Sequence, residues 1–255
     1  MKNNIDVIVN LRKDILHAAY KAHEGHIPSA FSILDIIWVL YDQILTPKDK
    51  FILSKGQAGL ALYAVLAKKG IVSKKDLLDH YCEYDSPFGG HPDRNKIKGV
   101  EASTGSLGHG LPITIGMAMA GKIKQSKNHI YCLIGDGEAN EGAVWESVML
   151  AAHHKLSQLC CIVDYNHSTD RALDLGDIEA KFAAFGWKVY QIDGHNHYEI
   201  KNALQNLSAD MPTCIVAKTI KGKGCPSIEN NPAWHHRAPT KEEYKILIKE
   251  IESVQ

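Results

Sequence analysis

Short, densely apolar runs recur along the chain, separated by longer stretches in which apolar residues return every three or four positions. Five runs, at residues 51–53, 130–134, 159–163, 187–192 and 213–218, are flanked by Gly, Asp or Pro, and Val, Ile and Cys recur among them. Runs this short, without polar alternation, read as strands buried on both faces of a parallel sheet. The stretches between them read as helices. Residues 29–41 open after Pro28 with apolar residues at 31, 33, 34, 37, 38, 40 and 41. Residues 107–123 are rich in Ala and Met, and 141–154 carry Val144, Trp145, Val148, Met149 and Ala152 on one face. The closing KEEYKILIKEIESVQ (241–255) reads as an amphipathic helix. The alternation predicts an α/β fold: a doubly wound, mostly parallel sheet with helices on both faces and right-handed crossovers. No repeat or low-complexity linker interrupts it, so residues 1–255 read as a single domain. Residues 84–106, dense in Gly, Pro, His and Asp, form the one long irregular stretch, of the kind that carries function in compact domains.

Composition narrows the classes. The chain has 255 residues, 45% hydrophobic and 23% charged, with 29 Lys plus Arg against 29 Asp plus Glu. That balance gives no field favouring nucleic acid or a membrane surface. The opening MKNNIDVIVNLRKDIL lacks the apolar core of a signal peptide, and no run approaches the roughly 18 apolar residues of a membrane span. Six cysteines show no C-x-x-C pair, and four lie in or beside apolar runs, so buried reduced thiols and a cytoplasmic location are expected. No His/Cys cluster has zinc spacing. Among the 14 histidines, those in loops are the candidates for chemistry.

The strongest local pattern is YCLIGDGEANEG, followed about thirty residues later by CCIVDYNHST. A strand closes at Ile134, and Gly135-Asp136-Gly137 follows at its carboxyl end, where open α/β sheets bind ligands. Glycines admit close backbone approach, and N–H groups at a helix start suit phosphate oxygens. Asp136 offers a hard anionic oxygen of the kind Mg²⁺ or Ca²⁺ takes, and Asn166, at the end of the next strand, offers an amide oxygen. With a backbone carbonyl, this set leaves positions for diphosphate oxygens and water. A plain turn at GDG with Asn166 as a helix cap is the bland alternative, outweighed by the pairing of the two at successive strand ends. A nicotinamide site is disfavoured because GSLGHG (105–110) has the wrong glycine spacing for G-x-G-x-x-G.

With Asn166 about 28 residues beyond GDG, the sequence resembles the thiamine-diphosphate enzymes, and other segments narrow the resemblance to transketolases. KAHEGHIPSAFSILDIIWVLY resembles the family's opening helix–loop, FILSKGQAGLALYAVL its FVLSxGH segment, and FGGHPD its PGHPE. STGSLGHG is similar to TTGPLGQG, and GWKVYQIDGHN to the family's GW-x-V…DGH stretch. The similarity runs in order over nearly the whole chain and covers the diphosphate-binding domain alone, as in the N-terminal subunit of split transketolases.

The resemblance implies thiamine diphosphate with Mg²⁺ (or Ca²⁺) held by Asp136, Asn166 and the carbonyl of Ser168. It implies Gly137 and Asn166 against the diphosphate, and Gly105, Ser106 and Leu107 lining the cofactor, with Leu107 against a ring. Glu141 and Glu146 match glutamates of a carboxylate network between the two active sites of a dimer. His26 matches a histidine that shuttles protons at the substrate hydroxyl, and His91 one that binds the donor's terminal hydroxyl. His235, in WHHRAP, matches a substrate- and cofactor-contacting histidine, while His195 in DGHN reads as structural. The implied partner is a C-terminal transketolase subunit whose pyrimidine-binding domain supplies the catalytic glutamate. Two copies of each chain, with sugar phosphates as substrates, complete the picture.

Three departures bear on substrate. Gln57 stands where FVLSxGH has histidine; it still donates a hydrogen bond to a diphosphate or sugar oxygen but carries no proton at neutral pH. His109 replaces the family's usual glutamine, and the segment after Asn166, carrying Asp170, Arg171 and Asp174, is short. Other readings stay open at this point: a specialised-sugar or acyloin-forming relative, an α subunit of a 2-oxo-acid dehydrogenase, or a non-catalytic binding subunit.

Overall fold

The structure, a computed structural model, describes residues 2–170 and 172–253, so Met1, Arg171, Val254 and Gln255 lie outside the described residues. The α-helices are α1 (Lys2–Ala22), α2 (Ile27–Val39), α3 (Gly59–Lys68), α4 (Lys74–His80), α5 (Gly110–Ile123), α6 (Gly142–His153), α7 (Ile178–Ala184), α8 (His197–Gln205) and α9 (Lys241–Ser253). The strands are β1 (Lys50–Leu53), β2 (Ile130–Gly135), β3 (Leu159–Tyr165), β4 (Lys188–Asp193) and β5 (Thr213–Lys218). The chain divides into two compact units. One comprises Met1–Trp38, Gly56–Ser103 and Ile220–Gln255, the other Val39–Lys55 and Thr104–Thr219.

The second unit holds the sheet. All strand pairs are parallel, in the order β1-β2-β3-β5-β4. Every residue of β2 and β3 is buried, and every residue of β5 except Lys218, which is why these segments show no polar alternation. Cys132, Ile134, Cys161, Val163 and Val216 pack with Leu111 and Ile115 of α5, Val144 and Val148 of α6, and Phe182 of α7. Burying a side chain the size of Phe182 stabilises by roughly 1.5–3 kcal/mol. Register decides where the site lies. Gly135 pairs with Asp164, so Asp136 and Asn166 emerge side by side at the carboxyl ends of adjacent central strands.

In the first unit, α1 packs on α3, α4 and α9. Arg12 and Asp35, both buried, form an ion pair at 3.0 Å that ties α1 to α2. Tyr20 stacks on Tyr244 at 4.4 Å, joining α1 to α9.

Three expectations need correction; in the first, the run 187–192 forms the edge strand β4, in which only Ile192 is buried, rather than a strand buried on both faces. The predicted helix 107–123 starts at Gly110, because positive φ at Gly105 (140°) and Gly108 (78°) keeps the preceding loop out of helical geometry. The predicted lack of a membrane-length segment also fails. Helix α2 runs on into a π-helical turn, and the window Ile27–Ile44 is 18 residues long and apolar enough to cross a membrane. Of that window 78% is buried inside the protein, as in a core helix. The cysteines match expectation. All six are free, five are buried, and burial pushes the thiols of Cys132, Cys160, Cys161 and Cys214 upward.

Candidate functional site

At the ends of β2 and β3 the side chains form an oxygen-rich corner. The Asp136 carboxylate accepts from the Gly137 N–H (2.7 Å), the Ser168 N–H (2.9 Å) and the Ser168 hydroxyl (3.2 Å). Asn166, 8% exposed, is oriented by its neighbour. Its Nδ2 donates to Asp164 at 3.0 Å, and its Oδ1 accepts from the Ser168 N–H at 3.1 Å. A carboxylate only accepts, so Asp164 fixes which end of the amide faces it and turns the oxygen toward Ser168. Asp164 is fully buried, paired with the buried Lys55 and accepting from the Thr219 hydroxyl. Removing one member of such a buried pair costs about 3–5 kcal/mol, because a bare charge remains.

A second network pins the glycine loop ahead of α5. The Glu138 carboxylate, 2% exposed, accepts from the Ser54 hydroxyl, from the Gly108 N–H (2.9 Å) and from the Gly135 N–H (3.2 Å). Burial pushes this carboxyl upward, opposed by the hydrogen bonds from Ser54, Gly108 and Gly135. The loop presents Ser106 and Leu107 to solvent. His109 Nδ1 lies 3.0 Å from the Leu107 carbonyl and 3.3 Å from the Ser106 hydroxyl. Glu141, the N-cap of α6, and Glu146 on the same helix are exposed. The segment after Asn166 is held by Asn140, which donates to the Thr169 hydroxyl at 3.2 Å, and by a His167–Asp170 contact of 2.7 Å.

The first unit gathers four histidines. The His26 ring stacks on His236 at 4.1 Å and meets His235 at 5.6 Å and His91 at 6.2 Å edge-on. Lys221 Nζ lies 3.3 Å from His235 Nδ1, and Glu24 lies 3.6 Å from His236 Nε2. Burial first, then His236, His235, His91 and Lys221, lowers the His26 pKa to about 3. His26 is therefore neutral throughout the physiological range, with a ring nitrogen that can accept a hydrogen bond. Gln57 sits in a 3₁₀ turn before α3, and its side-chain oxygen is buried with no hydrogen-bond partner among the described residues. Among those residues no group of three or more His, Cys, Asp or Glu side chains is disposed to hold a metal.

This fold and these strand ends have close counterparts. Residues 2–251 match the family model described as transketolase, thiamine diphosphate binding domain. The chain belongs to the transketolase family. An apulose-4-phosphate transketolase subunit of Phocaeicola vulgatus is 34% identical over 256 residues, spanning 94% of this chain and 90% of that protein. A 6-deoxy-6-sulfo-D-fructose transketolase subunit of a Clostridium species is 36% identical over 258 residues, covering 95% and 94%. The solved transketolase of Campylobacter jejuni superimposes with a TM-score of 0.89 at 30% identity, covering 97% of this chain but 42% of that one. The chain thus spans less than half of that transketolase and nearly all of the subunit-sized relatives. It is a transketolase-type enzyme subunit carrying the thiamine-diphosphate-binding domain.

The transketolase motifs named in the sequence fall into the two units. Asp136, Gly137, Asn166, Ser168, Gly105, Ser106, Leu107, Glu141 and Glu146 lie in the sheet-bearing unit, and His26, Gln57, His91 and His235 in the other. Sequence reasoning missed Glu138, Ser54, Lys55, Asp164 and Thr219. Of the pair at 235 and 236, the chosen His235 meets the His26 ring edge-on at 5.6 Å, and His236 stacks on that ring at 4.1 Å.

Proposed function

We propose that this chain is a single diphosphate-binding domain that holds thiamine diphosphate and Mg²⁺ (or Ca²⁺) in a split transketolase. The enzyme transfers a two-carbon ketol unit from a ketose phosphate to an aldose phosphate. The orientation of Asn166 by Asp164 carries this reading. It turns an amide oxygen to the same side as the Asp136 carboxylate, with Ser168 joined to both. Asp136, the Asn166 oxygen and the Ser168 carbonyl are the hard oxygen donors such an ion takes, and a diphosphate completes the shell. Gly137 fits as well. Its φ of −61° suits any residue, and a Cβ there would meet Thr169 only at 3.7 Å. Internal packing therefore does not require glycine, whereas a diphosphate drawn up to the Gly137 backbone does.

Bound thiamine diphosphate supplies the electron sink that lets a ketose cleave beside its carbonyl. In this reading the chain does the rest. Gly105, Ser106 and Leu107 line the cofactor, and Gln57 donates to a diphosphate or sugar oxygen. His91 and His235 bind donor hydroxyls, and neutral His26 accepts a proton from one of them. The partner is a subunit with a pyrimidine-binding domain that provides the catalytic glutamate. Two copies of each chain assemble in the cytoplasm, with Glu141 and Glu146 in a shared carboxylate network. The relatives' named substrates, apulose 4-phosphate and 6-deoxy-6-sulfo-D-fructose, favour a specialised ketose with an anionic end as donor.

Reconstitution tests this reading. The chain mixed with its partner, Mg²⁺ and thiamine diphosphate should transfer ketol units, and the chain alone should show no turnover. Ketol transfer by the isolated chain would overturn the split arrangement, and CO₂ release from a 2-oxo acid would reassign the reaction. Gln57→His is expected to change the ratio of kcat/KM between two ketose donors about tenfold, the scale of one neutral hydrogen bond. An unchanged donor profile would remove Gln57 from the specificity pocket.

A further inference from the structure

We infer that Glu138 is the positioning residue of the cofactor loop, its carboxylate clamping residues 105–109 to the ends of β1 and β2. The inference rests on the reading that Gly105, Ser106 and Leu107 line the cofactor. It assigns a role to a residue on which that reading places none.

Three observations carry it. Glu138 is almost wholly buried and meets only donors: the Ser54 hydroxyl just past β1, the Gly108 N–H in the loop and the Gly135 N–H closing β2. A carboxylate offers acceptors on both oxygens, so it satisfies all three, and no neutral side chain of the same shape does. The loop is also drawn tightly onto the segments Glu138 joins. A Cβ on Gly110 would lie 2.3 Å from the Ser54 hydroxyl oxygen, and one on Gly108, at φ +78°, 2.7 Å from the Glu141 Cβ. Lastly, Glu138 lies two residues beyond Asp136, in the turn whose Ala139 N–H donates to the Asp136 carbonyl at 3.1 Å. One buried carboxylate thus sets the glycine loop against the metal-bearing turn, and each is fixed relative to the other through it.

Glu138→Gln separates positioning from space-filling. Glutamine has the same volume, but its NH₂ must oppose one of the three donors. In the purified full chain, hydrogen exchange at the Gly108 or the Gly135 amide, whichever the NH₂ faces, should accelerate at least about tenfold in Glu138→Gln. Thiamine diphosphate, titrated calorimetrically with Mg²⁺ in the reconstituted complex, should bind about 10–100-fold more weakly, the scale for residues that orient ligands from behind. At saturating cofactor, kcat should return to near the unaltered value, a KM-against-kcat split that a damaged catalytic group would not give. Ser54→Ala, which leaves the carboxylate two of its donors, should move the same readouts in the same direction by less, and serves if Glu138→Gln does not fold. Unchanged exchange at both Gly108 and Gly135 in both variants, or in the Ser54 variant alone if only that folds, overturns the inference. Failure of the unaltered complex to bind the cofactor defeats the underlying reading instead, and the exchange result still stands.

Discussion

Asp136→Asn is expected to weaken Mg²⁺-dependent binding of thiamine diphosphate by more than about 100-fold, beyond the 10–100-fold typical of residues behind the ligands. Asparagine is the informative change because Asp136 has two jobs in the structure. It accepts from the Gly137 N–H and from both donors of Ser168, so alanine would also release the turn. Asparagine keeps one carbonyl oxygen for those bonds and removes the negative charge. In the proposed site a divalent cation bound with a diphosphate would draw on one carboxylate, one amide oxygen and one backbone carbonyl. Asp136 would then be the sole anionic protein ligand of the proposed site, and hard cations depend on that charge. Calorimetric titration with Mg²⁺ and with Ca²⁺, each against an EDTA control, reads the loss directly. Cofactor affinity within threefold of the unaltered chain would remove Asp136 from the metal site.

The parts of this molecule that were legible in its sequence are the locally encoded ones. Strands β2, β3 and β5 announce themselves because both faces are buried, leaving uninterrupted apolar runs. Asp136 and Asn166 stand out because each directly follows or closely trails such a run. Helices α1, α3, α4 and α8 went unassigned for different reasons. Helix α1 buries Ile8, Leu11, Ile15, Leu16, Ala18 and Ala19 but also Arg12, which finds Asp35 23 residues away, so its apolar stripe is broken by a charge. Helix α3 is buried from Gly59 to Leu66 and so carries no amphipathic period to detect. The residues behind the site are illegible for a topological reason. Ser54 and Glu138 are 84 positions apart, and Lys55 and Asp164 are 109 apart. Only the parallel stacking of β1, β2 and β3 brings them together. Between His235 and His236 the choice depends on how one short turn presents its side chains, and neighbouring identical residues leave no pattern to read.

His26→Ala should lower kcat of the reconstituted enzyme by roughly 10²–10⁴-fold, the span for a positioned general acid or base, while leaving thiamine diphosphate affinity unchanged. The environment of His26 holds the ring neutral and only weakly basic, so its part in the chemistry is at a hydroxyl drawn up to it. Its burial, and the company of His236, His235, His91 and Lys221, hold its pKa at about 3, so the ring keeps its lone pair at every pH at which the enzyme would work. Two pH signatures follow. In kcat/KM, His26 contributes no falling limb near pH 6.5, and any limb there belongs to other groups. In stability, the unfolded chain protonates this histidine near 6.5 while the folded chain refuses the proton down to about 3. Over that interval the unfolded state binds more protons, so stability falls as pH drops from 6.5 toward 3. His26→Ala should therefore show a shallower fall in urea midpoint between pH 7.5 and pH 5 than the unaltered chain. His236→Ala tests the stack itself. Removing the ring 4.1 Å away opens His26 to water and takes away a competing positive charge, so His26 becomes more basic and the stability curve flattens in the same direction. Equal pH dependence in all three chains, together with a kcat for His26→Ala within tenfold of the unaltered enzyme, would take His26 out of the chemistry.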